Sequence, residues 1–356
     1  MEKKLFIILF AMVFLASSGT LLGNDNVGTS CANFLKMGVG PRAVAMGGAF
    51  TALANDYTAL YWNPAGMARM ESNEVGFSYT DWMLDIKHSF VGAVYSPGQG
   101  WGTIGVSINY LDMGEMERTT PSEPNGTGTF FTPADLAVGL AYARTLTDRF
   151  SVGLQVKMIR ESISFSTAST FALDLGTQFV TGFHGMRLGM SIANFGGKML
   201  MMGTDQMVTA DADEAIGGTP EEDARLETEN WPLPMIFRFG VSFDFLNRED
   251  YLFTINSDFS DPRDMNPYIN FGGEFAWKNM VFLRGGAKYR PTSFDEQKMA
   301  EEEELALEYN VKLSFGGGLL LQVPGTSFKM RLDYSYSENW DYGFPNINRF
   351  SFSMLF

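Results

Sequence analysis

The chain has 356 residues, with 26 Lys and Arg against 41 Asp and Glu, a formal charge of −15, 14% aromatics and only 19% charged residues. That acidity excludes nucleic acid as a partner, because such binding depends on neutralising phosphates with Lys and Arg. A single cysteine excludes a disulfide framework, and beyond residue 23 no apolar run approaches the roughly 20 residues of a transmembrane helix, which excludes a polytopic helical membrane protein.

Residues 1–23 read as a secretory signal peptide. Met1-Glu2-Lys3-Lys4 supplies a basic start, and Leu5 to Ala16 is apolar on every face before small and polar residues take over. That stretch is too short to span a bilayer, which separates it from a membrane anchor. Cleavage is expected after Gly19 or Gly23. Cys31 lies too far beyond the apolar stretch for lipoprotein acylation and reads as a buried or free thiol.

Residues 24–73 do not alternate and form a separate N-terminal segment. Arg42 to Ala54 is rich in Gly and Ala, which predicts a helix able to pack closely, followed by Asn55-Asp56 and the turn Tyr61-Trp62-Asn63-Pro64-Ala65-Gly66. Inside a barrel this segment would serve as a plug. The plug turn, Trp62, Asn63, Pro64, Ala65 and Gly66, has two readings: Asn63 and Pro64 end the helix and return the chain to the wall, or the turn fixes a plug that occludes the lumen or moves to open it.

From Glu74 the chain becomes a series of period-2 segments. They fall at 74–81, 88–96, 102–111, 134–145, 150–161, 169–179, 186–195, 234–245, 251–260, 267–277, 280–289, 309–321, 327–337 and 346–356, fourteen in all. In Thr103 to Tyr110 one face carries Ile, Val, Ile and Tyr, and the other Thr, Gly, Ser and Asn. Arg238, Asp244, Lys329, Arg331 and Asp333 all fall opposite the apolar face, where lipid would forbid them and a lumen accepts them. The last segment, Phe350-Ser351-Phe352-Ser353-Met354-Leu355-Phe356, alternates up to a terminal aromatic, as the closing strand of such a barrel does.

Loop lengths sort in the same sense. The second, fourth and every later even connection is a tight turn, and the long ones, 112–133, 196–233 and 290–308, are all odd. With both termini periplasmic, this is the short-turn, long-loop asymmetry of outer-membrane barrels. The predicted fold over residues 74–356 is therefore a 14-stranded antiparallel transmembrane β-barrel, closed around a small N-terminal helical plug, in the outer membrane of a Gram-negative bacterium and in contact with its lipid.

Phe34-Leu35-Lys36-Met37-Gly38-Val39-Gly40-Pro41-Arg42-Ala43-Val44-Ala45-Met46-Gly47-Gly48-Ala49-Phe50, followed by Tyr61 to Gly66, resembles the opening of the PorV/PorQ family of FadL-like outer-membrane barrels. The match is confined to about residues 33–67; Pro41, where many members carry a small residue, is a local departure. The resemblance implies a type IX secretion component, whose partners are secreted cargo proteins and secretion-system subunits. PorV-like members bind exported cargo and deliver it to a surface attachment complex, and PorQ-like members help anchor that complex. The alternative from the same superfamily is a FadL-like channel for hydrophobic small molecules, against which stands the polarity of the inward face at Lys157, Asp174, Gln178, Arg238, Asp244, Arg331 and Asp333.

No catalytic constellation is evident. His88 begins a strand and His184 sits in a predicted turn, so neither pairs with a nucleophile and an orienting group. There is no Cys/His metal cluster, and no cofactor is expected. The sharper features are two acidic stretches: residues 204–229 with nine acids against Arg225, and residues 295–308 with seven against Lys298. They read as solvated loops or as docking surfaces for a basic partner, with Glu301, Glu302, Glu303 and Glu304 the densest candidate docking loop. A loose Ca²⁺ site fits the composition but not an EF-hand spacing.

Overall fold

A computed structural model describes residues 26–98, 100–120, 122–183, 185–211, 221–290, 311–338 and 345–356. The strands are β1 Glu74–Asp81, β2 Lys87–Tyr95, β3 Thr103–Asp112, β4 Ala134–Thr147, β5 Phe150–Ile163, β6 Ser166–Val180 and β7 Arg187–Gly196. They continue as β8 Ile236–Asn247, β9 Tyr251–Pro262, β10 Tyr268–Trp277, β11 Val281–Tyr289, β12 Val311–Gln322, β13 Lys329–Ser337 and β14 Ile347–Leu355. Each pairs antiparallel with its neighbours in chain order, and β1 pairs with β14, Phe77 opposite Phe352, so the sheet of 14 closes on itself. Beyond the seam, Asn73 and Phe356 exchange backbone hydrogen bonds of 3.1 and 3.0 Å. The terminal aromatic is thus tied to the residue that opens the wall. All fourteen predicted strands form, with boundaries within three residues of the expectation.

The alternation has the predicted sense. On β3, Ile104, Val106, Ile108 and Tyr110 are exposed on the outer surface while Thr103, Ser107 and Asn109 are buried. On β14, Phe350, Phe352 and Met354 face out and Arg349 and Ser353 face in. The outer side chains are exposed in the absence of lipid, which is where a transmembrane strand puts its apolar residues. The even-numbered connections are tight turns at one end: Lys278 and Asn279, joining β10 to β11, take φ of 50° and 51°, the left-handed geometry that matches strand twist in two-residue hairpins.

The plug departs from the helix expected over Arg42 to Ala54. Helix α1 covers only Pro41–Ala45, α2 covers Ala59–Trp62, and 3₁₀ turns occupy Asn33–Lys36 and Pro64–Arg69. Pro41 sits at the first helical position, where its missing N–H is harmless. Gly47 and Gly48 then adopt φ of 68° and 87° and end the helix. Close approach is the reason: a Cβ on Gly47 would lie 2.7 Å from the Ala287 carbonyl of β11.

The plug also runs in a direction that the two-periplasmic-termini expectation did not anticipate. The Gly28 N–H donates to Asp264 O and the Cys31 N–H to Pro232 O, both on connections at the long-loop end, whereas Arg69 reaches Ser151 and Asp148 at the turn end. Loop-length sorting fixes only where β1 starts. The described chain before it descends through the whole lumen. Met46, Phe50, Leu60 and Met67 on this segment are among the largest fully buried side chains, so the apolar core of the molecule lies inside the barrel, around the plug.

Candidate functional site: plug and vestibule

Ten strands present one lumen-facing glycine each at which a Cβ would come within 3.0 Å of a plug atom, among them Gly105, Gly153, Gly189 and Gly286. Without side chains at these points the wall touches the plug backbone directly at Gly153, Gly189 and Gly286 and makes room for Leu60 and Met67 at Gly105. Polar contacts then fix the register. Asp258 Oδ2 accepts from the Phe50 and Thr51 N–H groups at 3.0 and 2.8 Å, and Gln178 Nε2 donates to Ala52 O at 2.6 Å.

A buried ion ladder also joins plug to wall, along β10, β11 and β13. Arg42 reaches Asp56 at 3.0 Å and Glu274 on β10 at 2.9 Å; Glu274 is shared with Arg284 on β11 at 2.6 Å, and Arg284 continues to Asp333 on β13 at 2.5 Å. Burial disfavours the Arg42 charge, but Glu274 and Asp56 more than offset this and raise its pKa above the ordinary arginine value. Its guanidinium also lies 5.2 Å from the centre of the Phe50 ring. Arg331, 3.7 Å from Glu74 and 3.9 Å from Asp56, extends the ladder toward β1.

The five residues of the predicted plug turn are all buried. Trp62 Nε1 donates to Val39 O at 2.9 Å. Asn63 ends α2, and its Nδ2 donates to Thr51 O at 2.8 Å and to Thr177 O on β6 at 3.0 Å, while Oδ1 accepts from Ala65 N at 3.2 Å and so caps the next turn. Pro64 begins that turn. A Cβ on Gly66 would lie 2.0 Å from Ala54 O, which requires glycine there.

Above the plug, at the long-loop end, is a cavity of about 410 Å³. Its floor includes Gly47, Gly48 and Trp62; its walls carry Trp82, Met83, Lys288, Lys312 and Arg349. One residue of the predicted turn, Trp62, thus reaches an open space, while Asn63 to Gly66 serve the packing beneath it. Lys36 at the rim pairs with Asp264 at 2.6 Å.

The acidic stretches divide. Glu301, Glu302, Glu303 and Glu304 lie outside the described residues. In residues 204–229, Met207–Asp211 and Glu221–Arg225 form a small hairpin, and Asp205 fastens neighbouring loops by accepting from Arg118 at 3.0 Å and from the Phe165 N–H at 2.7 Å. His88 is buried against Asn109 Oδ1 at 2.5 Å, with no nucleophile in that pair; His184 lies outside the described residues. Among the described residues, no group of three or more His, Cys, Asp or Glu side chains could hold a metal ion.

The family model of the type IX secretion system protein PorV matches residues 22–262. The chain belongs to the PorV family. It is accordingly an outer-membrane barrel of a Gram-negative bacterium, FadL-like in fold. No curated protein matches it. Among solved structures, the Pseudomonas putida toluene transporter TodX is similar at a TM-score of 0.53 and 12% identity, covering 89% of this chain and 96% of that one. The Ralstonia pickettii toluene transporter TbuX gives 0.52 and 14%, covering 89% and 97%, and a Pseudomonas aeruginosa FadL homologue gives 0.53 and 13%, covering 90% and 98%. At such identities the likeness establishes a shared fold, and the PorV match supplies the family.

Sequence reading did not find Glu274 and Arg284, nor the vestibule cations Lys288, Lys312 and Arg349. The signal was present: each lies on the polar face of its predicted strand, as Arg331 and Asp333 do. What was lacking was the register that brings them together across strands.

Proposed function

We propose that this PorV-family barrel is a type IX secretion component that receives exported cargo at its long-loop end and does not conduct through its lumen. The observation that carries the reading, beyond family membership, is the ion ladder Asp56–Arg42–Glu274–Arg284–Asp333 that fastens the plug to three strands. Opening a pore there means breaking buried ion pairs, at about 3–5 kcal/mol for each partner left uncompensated, which suits a stationary plug. The long connections at one end, held together through Arg118 and Asp205, offer the receiving surface. Crosslinking in intact outer membranes followed by purification of the barrel is expected to recover secreted proteins sharing a C-terminal domain, or a large translocon subunit; recovery of neither, from cells that are secreting, refutes the reading.

One observation favours a second reading, a FadL-like channel for hydrophobic small molecules: the vestibule is roomy and has apolar residues such as Met37, Val44 and Trp62 in its lining. Deletion strains separate the two. A defect in uptake of long-chain fatty acids or monoaromatic hydrocarbons with normal secretion supports the channel; a secretion defect with normal uptake supports the carrier.

A further inference from the structure

We propose that the vestibule is a receptor for the free C-terminal carboxylate of an extended polypeptide entering from the long-loop end. The inference rests on the cargo-receiving reading above and names the part of the cargo that is read.

Charge is the first support. In a chain of net charge −15, Lys288 and Lys312 are direct cross-strand partners on β11 and β12, and both line the cavity. Like charges so placed repel, and an anion seated beside them removes the repulsion. The acid in the described lining, Glu338, already uses Oε2 to accept from the Leu313 N–H at 2.9 Å. Arg349 is only 4% exposed; Nη1 donates to Ser337 Oγ at 2.7 Å, Nε has no acceptor, and no carboxylate among the described residues pairs with it. A buried guanidinium without a counter-charge is costly, and a carboxylate matches its planar donor fork with two parallel hydrogen bonds.

Shape is the second. Gly47, Gly48 and Trp62 of the plug form part of the cavity's lining, and the ion ladder fastens the plug to the wall. A cavity that meets a fastened plug suits the end of a chain better than a chain passing through, and its cations select the carboxyl end over the amino end. Chemistry of the remaining lining is the third: Met37, Trp62, Trp82 and Met83 offer apolar surface to the last side chains, in a volume of about 410 Å³ within the usual range of ligand pockets.

The test uses the full chain in detergent. The probes are a fluorescein-labelled peptide of the last ten residues of a type IX cargo domain, its C-terminal amide, and oleate as competitor. The free acid is expected to bind at least about 10-fold more tightly than the amide, the scale of a lost charged hydrogen bond. Arg349→Met and Lys312→Met should each bring the acid down to the amide's affinity while leaving the amide unchanged. Lys312 is only half-buried, so its variant reports even if Arg349→Met disturbs the wall, which strand-dominated circular dichroism checks. Equal binding of acid and amide overturns the proposal. So does displacement of the peptide by oleate together with loss of oleate binding in Arg349→Met, which would make the site one for free fatty acids. A whole cargo domain that binds equally well with its terminus amidated overturns the carboxylate inference and leaves the cargo-receiving reading standing; a domain that does not bind at all removes both.

Discussion

Replacing Asn63 tests whether the plug turn is a structural clasp. Its side chain makes three hydrogen bonds in a fully buried site, to Thr51 O, Thr177 O and Ala65 N. At about 1 kcal/mol net for each, Asn63→Ala should weaken plug attachment by about 3 kcal/mol, more if the abandoned groups stay dry. Asn63→Asp has the same shape but fails differently. Its carboxylate would face two carbonyl oxygens at the present donor distances, so it must take up a proton to stay. Holding a carboxyl of ordinary pKa near 3.9 neutral at pH 7 costs about 4 kcal/mol, at about 1.4 kcal/mol per unit. Because the folded-state pKa is then the raised one, the lost stability returns as pH falls from 7 toward 4, while the Asn63→Ala deficit stays level. Urea titration in detergent follows this through Trp62, which adjoins the clasp, with tryptic cleavage after Arg42 and Arg69 as a second readout. A pH-independent Asn63→Asp deficit, or wild-type attachment in both variants, would refute the clasp.

Arg42→Met should lower plug attachment by about 3–5 kcal/mol, since Asp56 and Glu274 lose a shared buried partner; adding Glu274→Gln should cost less than the sum of the single changes, and strict additivity in the same urea titration would argue against one coupled ladder. Gly286→Val should dislodge the plug by at least about 1–3 kcal/mol of overpacking, because a Cβ there lies 2.1 Å from the Met46 carbonyl carbon, whereas Gly285→Val, whose Cβ meets only Phe315 at 3.7 Å, should be tolerated; tryptic sensitivity at Arg42 reads the contrast. Burial, with Glu161 nearby, pushes the Cys31 thiol up to about 11, so its alkylation by iodoacetamide at pH 8 should run about 100-fold below that of an ordinary thiol and rise about tenfold per pH unit, which mass spectrometry measures; a normal rate would place Cys31 in open water. Neutralising Glu301, Glu302, Glu303 and Glu304 to Gln should slow capture of a basic partner at low salt and change little at high salt, where screening already removes the attraction; capture rates that respond to neither change would return these residues to the role of solvated surface.

The barrel was legible because a lipid-spanning wall imposes one rule on every strand. Outward positions must be apolar and inward ones need not be, so Arg238, Asp244, Arg331 and Asp333 could be assigned a face without knowing any neighbour. Closure is a matter of pairing: Phe352 on β14 stands opposite Phe77 on β1, which leaves neither strand an unpaired edge. The plug obeys no such rule. Its side chains meet strands from all sides at once, so periodicity carries little information, and the Ala-rich run that predicts a helix through Ala54 is overridden where Gly47 has to lie flat against Ala287.

The same distinction separates what could be found of the site. Asn63 and Pro64 were visible because capping and turn chemistry are local. The ladder and the vestibule depend on registers that no local pattern encodes: Glu274 stands opposite Arg284 and Lys288 opposite Lys312 because β10, β11 and β12 pair at one particular offset, and a slip of two residues along any of them would keep every side chain on its predicted face while dissolving both clusters. Inward polarity was therefore read as evidence against a lipophilic conduit, which is only half of its meaning. Arg42, Asp56, Glu274, Arg284 and Asp333 are neutralised in pairs and serve attachment of the plug, whereas Lys288, Lys312 and Arg349 line a space without carboxylate partners among the described residues. The paired charges hold the plug in place; the three in the cavity lining, with Lys288 and Lys312 facing each other across β11 and β12, leave a cationic surface on its upper side.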